Sequence, residues 1–404
     1  MKKIVTISTL CLIAISCMPG ANMPSVLEPI DSQKWKQCAD ELAKREQGAL
    51  LDDLTLDSAT LVCQGAVLAS EGKTNEALEL LTEASVKDKE DHRPHYLAGR
   101  VLADAGRYDE ALTAFERSHQ RFPSMEVPTE RMGRSIEKKS GPEEALGFMK
   151  RANDRGLCPY GCQGLMAKLH HQLKQDDEAR KIYKEMTGIK PGEPTGYVGL
   201  ASLANAESDF IDETTLLERA ISVAHFKDLS DIQKADIYFS LAFAKYNSQN
   251  LAGAKNAIET ALELNPKRAD WYLLEGWIAL KEGQAAKAII AFDTAKELDP
   301  NMAAVHAGIG DAELALGNVP GARTAYSRAK EIDPTNGVYA LKGAHAAAMA
   351  RDFEIAEKLL NDAKAMGADG LPQDLVRKVV DLLPAKVPPT QVTGSAQAAD
   401  TPPQ

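Results

Sequence analysis

The chain of 404 residues is short of aromatics, with 5% Phe, Trp and Tyr and three tryptophans in all. Aromatic side chains carry much of the burial in thick cores. Their scarcity points to thin layers of small residues and leucine. A basic excess is missing as well: 47 Lys and Arg face 58 Asp and Glu, for a net charge of −11. That balance disfavours capture of a nucleic-acid backbone. The motifs of common catalysts are absent too, whether phosphate loop, GxSxG, HExxH or dinucleotide fingerprint. His170, His171 and His306 stand apart from any nucleophile in sequence. The acid pairs Glu143-Glu144 and Asp176-Asp177 fall at expected helix starts, where negative charge favours the helix dipole. No catalytic residue, metal site or cofactor is expected.

What the chain does have is a period. Residues 269–302 hold two amphipathic patterns back to back, broken at Gly283 and stopped at Asp299-Pro300. Gly276 and Ala288 are small enough for two helices to cross closely, and Phe292 is large enough to fill the space beside them. The same columns recur every 34 residues, as Ala242, Gly276, Gly310 and Ala344, and as Ala254, Ala288, Ala322 and Ala356. Pro266, Pro300 and Pro334 follow the same step. A second frame covers residues 58–227, with Gly65, Gly99, Gly133, Ala167 and Ala201 against Leu81, Phe115, Met149, Tyr183 and Leu217. In its fifth unit Glu213 stands where the small alanine belongs. Seven extra residues, 228–234, then separate the frames, which implies a longer helix or loop.

These columns resemble the tetratricopeptide repeat, a helix–turn–helix unit of 34 residues, over about three quarters of the chain. The resemblance implies an all-α, right-handed superhelical α-solenoid of about nine repeats, five in 58–227 and four in 235–370. One such pair cannot bury its apolar face alone, so neighbours must stack and the ends must be capped. The expected caps are residues 32–57, with Trp35, Cys38 and Leu42, and residues 371–384, where Leu371, Leu375, Val379 and Leu382 share a face.

By the resemblance, the first helix of each pair lines a concave groove through its second, fifth, ninth and twelfth positions. That map places Arg93, Tyr96, Arg100, Arg134, Lys168 and His171 in one part of the groove, with Glu130 and Glu137 among them. It places Phe239, Phe243, Tyr246 and Trp277 in another. Arginine forks onto carboxylates, and desolvated aromatics supply most binding free energy. The expectation is a protein or peptide partner with acidic groups at one end and apolar groups at the other. The alternative is that the aromatics are inter-repeat core and the arginines a solvated face. The Lys/Asn clamp by which chaperone adaptors of this family hold a terminal carboxylate is not expected, since Val62 and Ala66 occupy its first positions.

The N-terminus has the parts of an export signal: Lys2 and Lys3, an apolar run from Ile4 to Ile15, and Ala14-Ile15-Ser16-Cys17. The last four resemble the lipobox of bacterial lipoproteins, which implies removal of residues 1–16, a lipid on Cys17, and a place on the periplasmic side of an outer membrane. Ordinary cleavage after Ser16 would leave a soluble periplasmic protein instead. Residues 17–31 read as a tether. Residues 385–404, rich in Pro, Ala, Ser, Thr and Gln, are expected to form a disordered tail. Four further cysteines permit two disulfides, Cys158 with Cys162 and Cys38 with Cys63. A zinc site built on the first pair would lack a second cysteine pair. The functional expectation is a non-enzymatic, protein-binding scaffold of the cell envelope, serving a pilus, secretion or other outer-membrane complex. The alternative is a module that binds cell-wall glycan.

Overall fold

The computed structural model describes residues 58–123, 127–367 and 370–384, together with Lys36, Gln37 and Asp40. The expected leader, Cys17, the tether, Cys38, nearly all of the segment 32–57 and the tail 385–404 lie outside the described residues. Among the described residues every regular element is a helix. They come in pairs: α1 (Ser58–Ser70) with α2 (Thr74–Lys87), α3 (Arg93–Asp104) with α4 (Tyr108–Arg121), and α5 (Thr129–Ser140) with α6 (Pro142–Asp154). Then follow α7 (Tyr160–Gln172) with α8 (Asp176–Ile189), and α9 (Thr195–Ala206) with α10 (Phe210–Ser222). After the insertion come α11 (Asp231–Asn247) with α12 (Leu251–Leu264), α13 (Ala269–Lys281) with α14 (Ala285–Leu298), and α15 (Ala303–Ala315) with α16 (Val319–Ile332). The last pair is α17 (Gly337–Met349) with α18 (Phe353–Ala365), and a single helix, α19 (Gln373–Leu382), ends the series.

The chain divides into two compact units. One runs to Pro191 and includes Thr195–Leu203; the other holds Gly192–Pro194 and continues from Ala204. In both, the small/large columns are the packing rule. In the N-terminal unit a Cβ on Gly99 would lie 2.7 Å from the Phe115 ring, and one on Gly133 would lie 2.4 Å from Met149 Sδ. In the C-terminal unit Phe292 is gripped from two repeats, since a Cβ would meet its ring at 2.3 Å from Gly276 and at 2.7 Å from Gly308. Phe115, Met149 and Phe292 are fully buried. Burial of each such side chain stabilises the fold by about 1.5–3 kcal/mol.

The turn inside a pair is another column. Gly72, Gly106, Gly283 and Gly317 adopt positive φ there, and so do Lys174, Ser208, Gln249 and Arg351. At Gly283 the reversal has little steric cost. At the four residues with side chains the same backbone costs roughly 1 kcal/mol. Between pairs of the C-terminal unit, an Asx turn recurs at helix ends. Asp299 Oδ1 accepts from the Asn301 N–H at 3.0 Å, and Asp333 Oδ1 from the Thr335 N–H at 3.2 Å.

The seven inserted residues, 228–234, follow on a 3₁₀ turn, Ala224–Asp228, and supply the first turn of α11, which has 17 residues against 13 in α13. A capping box starts α11: Ser230 accepts from the Gln233 N–H, and the Gln233 side chain accepts from the Ser230 N–H. Glu213, in the fifth pair, is 3% exposed and accepts one hydrogen bond, from Asn205 Nδ2 at 3.0 Å. Burial raises its carboxyl above the usual range despite that bond.

At the C-terminus, α19 packs on α17 and α18. Leu371 and Val379 are buried and Leu375 is partly so, but Leu382 is 41% exposed and does not share the packed face as the spacing implies. The helix ends at Leu382, and extended backbone at Leu383 brings that side chain onto the cluster instead.

Candidate functional site

In the N-terminal unit, α3, α5 and the start of α7 line an open cavity of about 390 Å³. Its apolar wall is Tyr96, Val127, Pro128 and Pro159; its polar rim is Arg100, Glu130, Arg131 and Arg134, with Gly161 beside them. Tyr96 is 3% exposed and meets Phe115 edge-on, with ring centroids 5.4 Å apart. It is a floor residue shared with the repeat core. Arg100 is also buried, at 8% exposure. Arg134 is exposed and forks onto Glu130 Oε1 through Nη2 at 2.7 Å and Nε at 3.1 Å. The second oxygen of Glu130 lies against Gly161, where a Cβ would come within 2.6 Å of it. Arg131 is exposed and makes no ion pair among the described residues. The cavity therefore holds three guanidinium groups and one carboxylate over an apolar floor.

The other cations of the expected groove are engaged elsewhere. Arg93 forks onto Asp91, with Nη2 2.8 Å from Oδ2 and Nε 2.8 Å from Oδ1. Lys168 Nζ and Gln172 Nε2 both donate to Glu137 Oε1 at 2.9 Å. Burial alone would raise the Glu137 carboxyl, but these two bonds and the nearby charges of Lys168 and Arg134 hold it below its usual range. His171 Nδ1 lies 2.6 Å from Asp176 Oδ1. Tyr96, Arg100 and Arg134 thus share one site, whereas Arg93, Lys168 and His171 lie outside the cavity lining.

Cys158 and Cys162 are joined, closing a ring whose Pro159 and Gly161 form cavity wall. The bond leaves no thiolate pair there to hold zinc. Cys63 is also in a disulfide; Cys38, expected to pair with it, lies outside the described residues.

In the C-terminal unit the four aromatics separate by role. Phe239 stacks on fully buried Trp271 at 5.4 Å and an interplanar angle of 14°, and Arg268 lies 5.2 Å from the Trp271 ring. Phe239 is thereby tied into packing. Phe243 remains 39% exposed, with its ring edge-on to Phe210 at 6.3 Å. Tyr246 is half-buried under the Lys281 ammonium, 5.6 Å from its ring, and burial raises its hydroxyl pKa. Trp277 is half-buried, edge-on to Phe292 at 5.6 Å, with Lys342 Nζ 5.4 Å from its ring centroid. Lys342 also pairs with Asp311, which accepts from the Tyr326 hydroxyl at 2.7 Å. Phe243 is the most open of the four, while Phe239, Tyr246 and Trp277 are each half-buried on adjacent first helices.

Arg131, Pro128 and Pro159 line the cavity without occupying any of the four positions that the repeat assigns to the groove. The available signal was local: Arg131 and Arg134 lie three apart on one helix, and two prolines precede the helix starts of α5 and α7.

Models of the tetratricopeptide repeat match residues 239–303 in one case and residues 68–123 and 279–344 in another. No curated protein matches the chain. Among solved structures, the APC/C hetero-tetramer Cut9–Hcn1 is similar at TM-score 0.50 and 13% identity, over 86% of this chain and 83% of that one. Pseudomonas aeruginosa pilF is similar at TM-score 0.46 and 15% identity, over 55% of this chain and 96% of that one. YrrB, described as a TPR protein with an unusual peptide-binding site, is similar at TM-score 0.38 and 16% identity, over 49% of this chain and 97% of that one. At such identities the likeness concerns the fold alone. With its paired helices, its small/large columns and the matched residues, the chain carries tetratricopeptide repeats in both of its units.

Proposed function

We propose that this chain is a non-enzymatic scaffold of a bacterial cell envelope that binds a partner protein on the inner faces of its repeats. The observation that carries the reading is the arginine-rimmed cavity of the N-terminal unit, with Arg100, Arg131 and Arg134 over Tyr96, Val127 and the two prolines. In a chain of net charge −11, a local excess of guanidinium groups selects acidic side chains of an extended partner segment. The half-exposed Phe243, Tyr246 and Trp277 supply apolar anchors of the kind that dominate protein interfaces.

Export through residues 1–16 and a lipid on Cys17 would place the scaffold on the periplasmic side of an outer membrane. Assistance to a pilus, secretion or other outer-membrane complex fits that place. Glycan binding has less support: Lys342 stands over the ring of Trp277, where a sugar would stack. The test is cross-linking and mass spectrometry of the full chain in its own membrane, with Arg131→Glu and Trp277→Ala variants checked for folding by circular dichroism. Each variant is expected to lower recovery of the partner by about tenfold, equivalent to about 1.4 kcal/mol. Unchanged recovery with both sinks the proposed faces. Retention on purified cell-wall sacculi without a protein partner would favour the glycan reading. Labelled palmitate absent from Cys17 would remove the lipid anchor.

A further inference from the structure

The ring Cys158-Pro159-Tyr160-Gly161-Cys162 is placed unusually for a stabilising crosslink. It spans a sequence separation of 4, and a loop that short removes less chain entropy from the unfolded state than a long one. Its consequence is therefore local, and what is local to it is the cavity. Pro159 and Gly161 are cavity wall. The ring also starts α7: the Cys162 N–H donates to the Pro159 carbonyl at 2.9 Å, and Cys162 is fully buried against the repeat core. Gly161 is held so close to Glu130 that a single methyl group there would collide with Oε2. Glu130 in turn holds Arg134 by two hydrogen bonds. The covalent ring thus includes Gly161, the bare glycine leaves room for the Glu130 carboxylate, and that carboxylate holds the Arg134 guanidinium.

We propose that the Cys158–Cys162 ring is a positioning element of the binding cavity and makes its affinity for an acidic segment depend on redox state. The inference rests on the cavity being the partner site proposed above. Reduction by a dithiol is balanced as follows. One thiolate of the dithiol attacks Sγ of the half-buried Cys158, the sulfur–sulfur bond breaks, and fully buried Cys162 leaves with the electron pair and takes up a proton. The second thiol of the reductant then closes its own disulfide and releases Cys158 as a thiol. Two electrons and two protons pass to the protein, and the dithiol becomes a disulfide. With the ring open, Pro159-Tyr160-Gly161 is free to move off Glu130, and Arg134 loses its fixed place on the rim.

The test uses the full chain and a fluorescein-labelled oligo-glutamate peptide as probe, read by anisotropy. It compares the oxidised protein, the protein treated with dithiothreitol, and the oxidised Cys158→Ser/Cys162→Ser variant, in which the Cys63 disulfide is kept. The expected result is a loss of affinity of about tenfold in both ring-opened forms, with faster amide exchange over Thr129–Arg134 and unchanged exchange over α13–α16. Equal affinity in all three forms overturns the redox inference alone and leaves the cavity as a partner site. Absence of binding in every form overturns both. If the double-serine variant does not fold, Gly161→Ala with the ring intact takes its place. Its Cβ must displace Glu130, and unchanged affinity there breaks the chain of positioning on which the inference stands.

Discussion

The two units share one repeat and differ at the first-helix positions expected to form an inner face. In the N-terminal unit they carry charge that is largely self-paired, as in Arg134 with Glu130 and Lys168 with Glu137. In the C-terminal unit they carry aromatics, with Phe243, Tyr246 and Trp277 half in and half out. The columns that make the fold, small on the first helix and large on the second, are nearly the same in both. The period therefore governs how helices cross and leaves those positions free to vary. The cores differ in texture too. The N-terminal unit packs Leu, Met and two phenylalanines, while the C-terminal unit is built around Trp271, Phe292 and Tyr326.

The largest expected break in that comparison is Trp271→Ala. Trp271 is fully buried, with Phe239 stacked on it and Arg268 close to its ring, and its removal should cost about 3–5 kcal/mol. Segment-resolved hydrogen exchange should show the loss over α11–α14 and leave α1–α6 protected. Uniform loss along the chain would mean that the units do not behave separately.

A paired test of the packing rule follows. Gly276→Ala forces a methyl group onto the rigid ring of Phe292 and should cost about 1–3 kcal/mol in a denaturant melt. Gly133→Ala meets the flexible end of Met149, with Leu165 nearby, and should cost less than about 1 kcal/mol, because methionine adapts its rotamer. Equal costs would show that the texture of the two cores does not matter.

The smallest effects concern pH and carry opposite signs. His95 in α3 is held down to about 4 by burial and by the charges of Arg121 and Arg117, against an ordinary value of 6.5. Its neutral form belongs to the fold, so its contribution is present above pH 6.5 and fades as the pH falls toward 4. After allowance for solvent screening at a half-buried site, this amounts to on the order of 1 kcal/mol. Glu213 in α10 is shifted the other way. Its protonated form belongs to the fold, so stability is lost as the pH rises through its raised value. Glu213→Gln should therefore leave the melting temperature unchanged in acid and raise it at neutral pH, by about 1 kcal/mol of stability. A variant less stable at neutral pH would mean that the charged carboxylate is the form the fold needs.

The repeat was legible because crossing helices demand a small residue opposite a large one, and Gly276 with Phe292 displays that demand without any tertiary information. The extra turn of α11 and the misfit at Glu213 were legible as departures from the period. The cavity was not, because its depth depends on how α3, α5 and α7 stand relative to each other. Arg131 and the prolines enter it from positions that the period does not distinguish. Spacing set Trp277, at a groove position, apart from Trp271, but it did not show that Phe239, at a groove position too, stacks on Trp271. At α19 the face pattern was right up to the last turn, where the end of the helix exchanged Leu382 for Leu383.

The grip on Phe292 has one more consequence. Because Gly276 and Gly308 belong to successive repeats, the same ring serves as core to both, and neither repeat can open while the other keeps its full packing. Nearest-neighbour coupling of this kind sets how far unfolding spreads along a solenoid. In the C-terminal unit such shared rings act as rivets, so that local fraying becomes a collective event and the surface of the first helices is kept whole or lost whole.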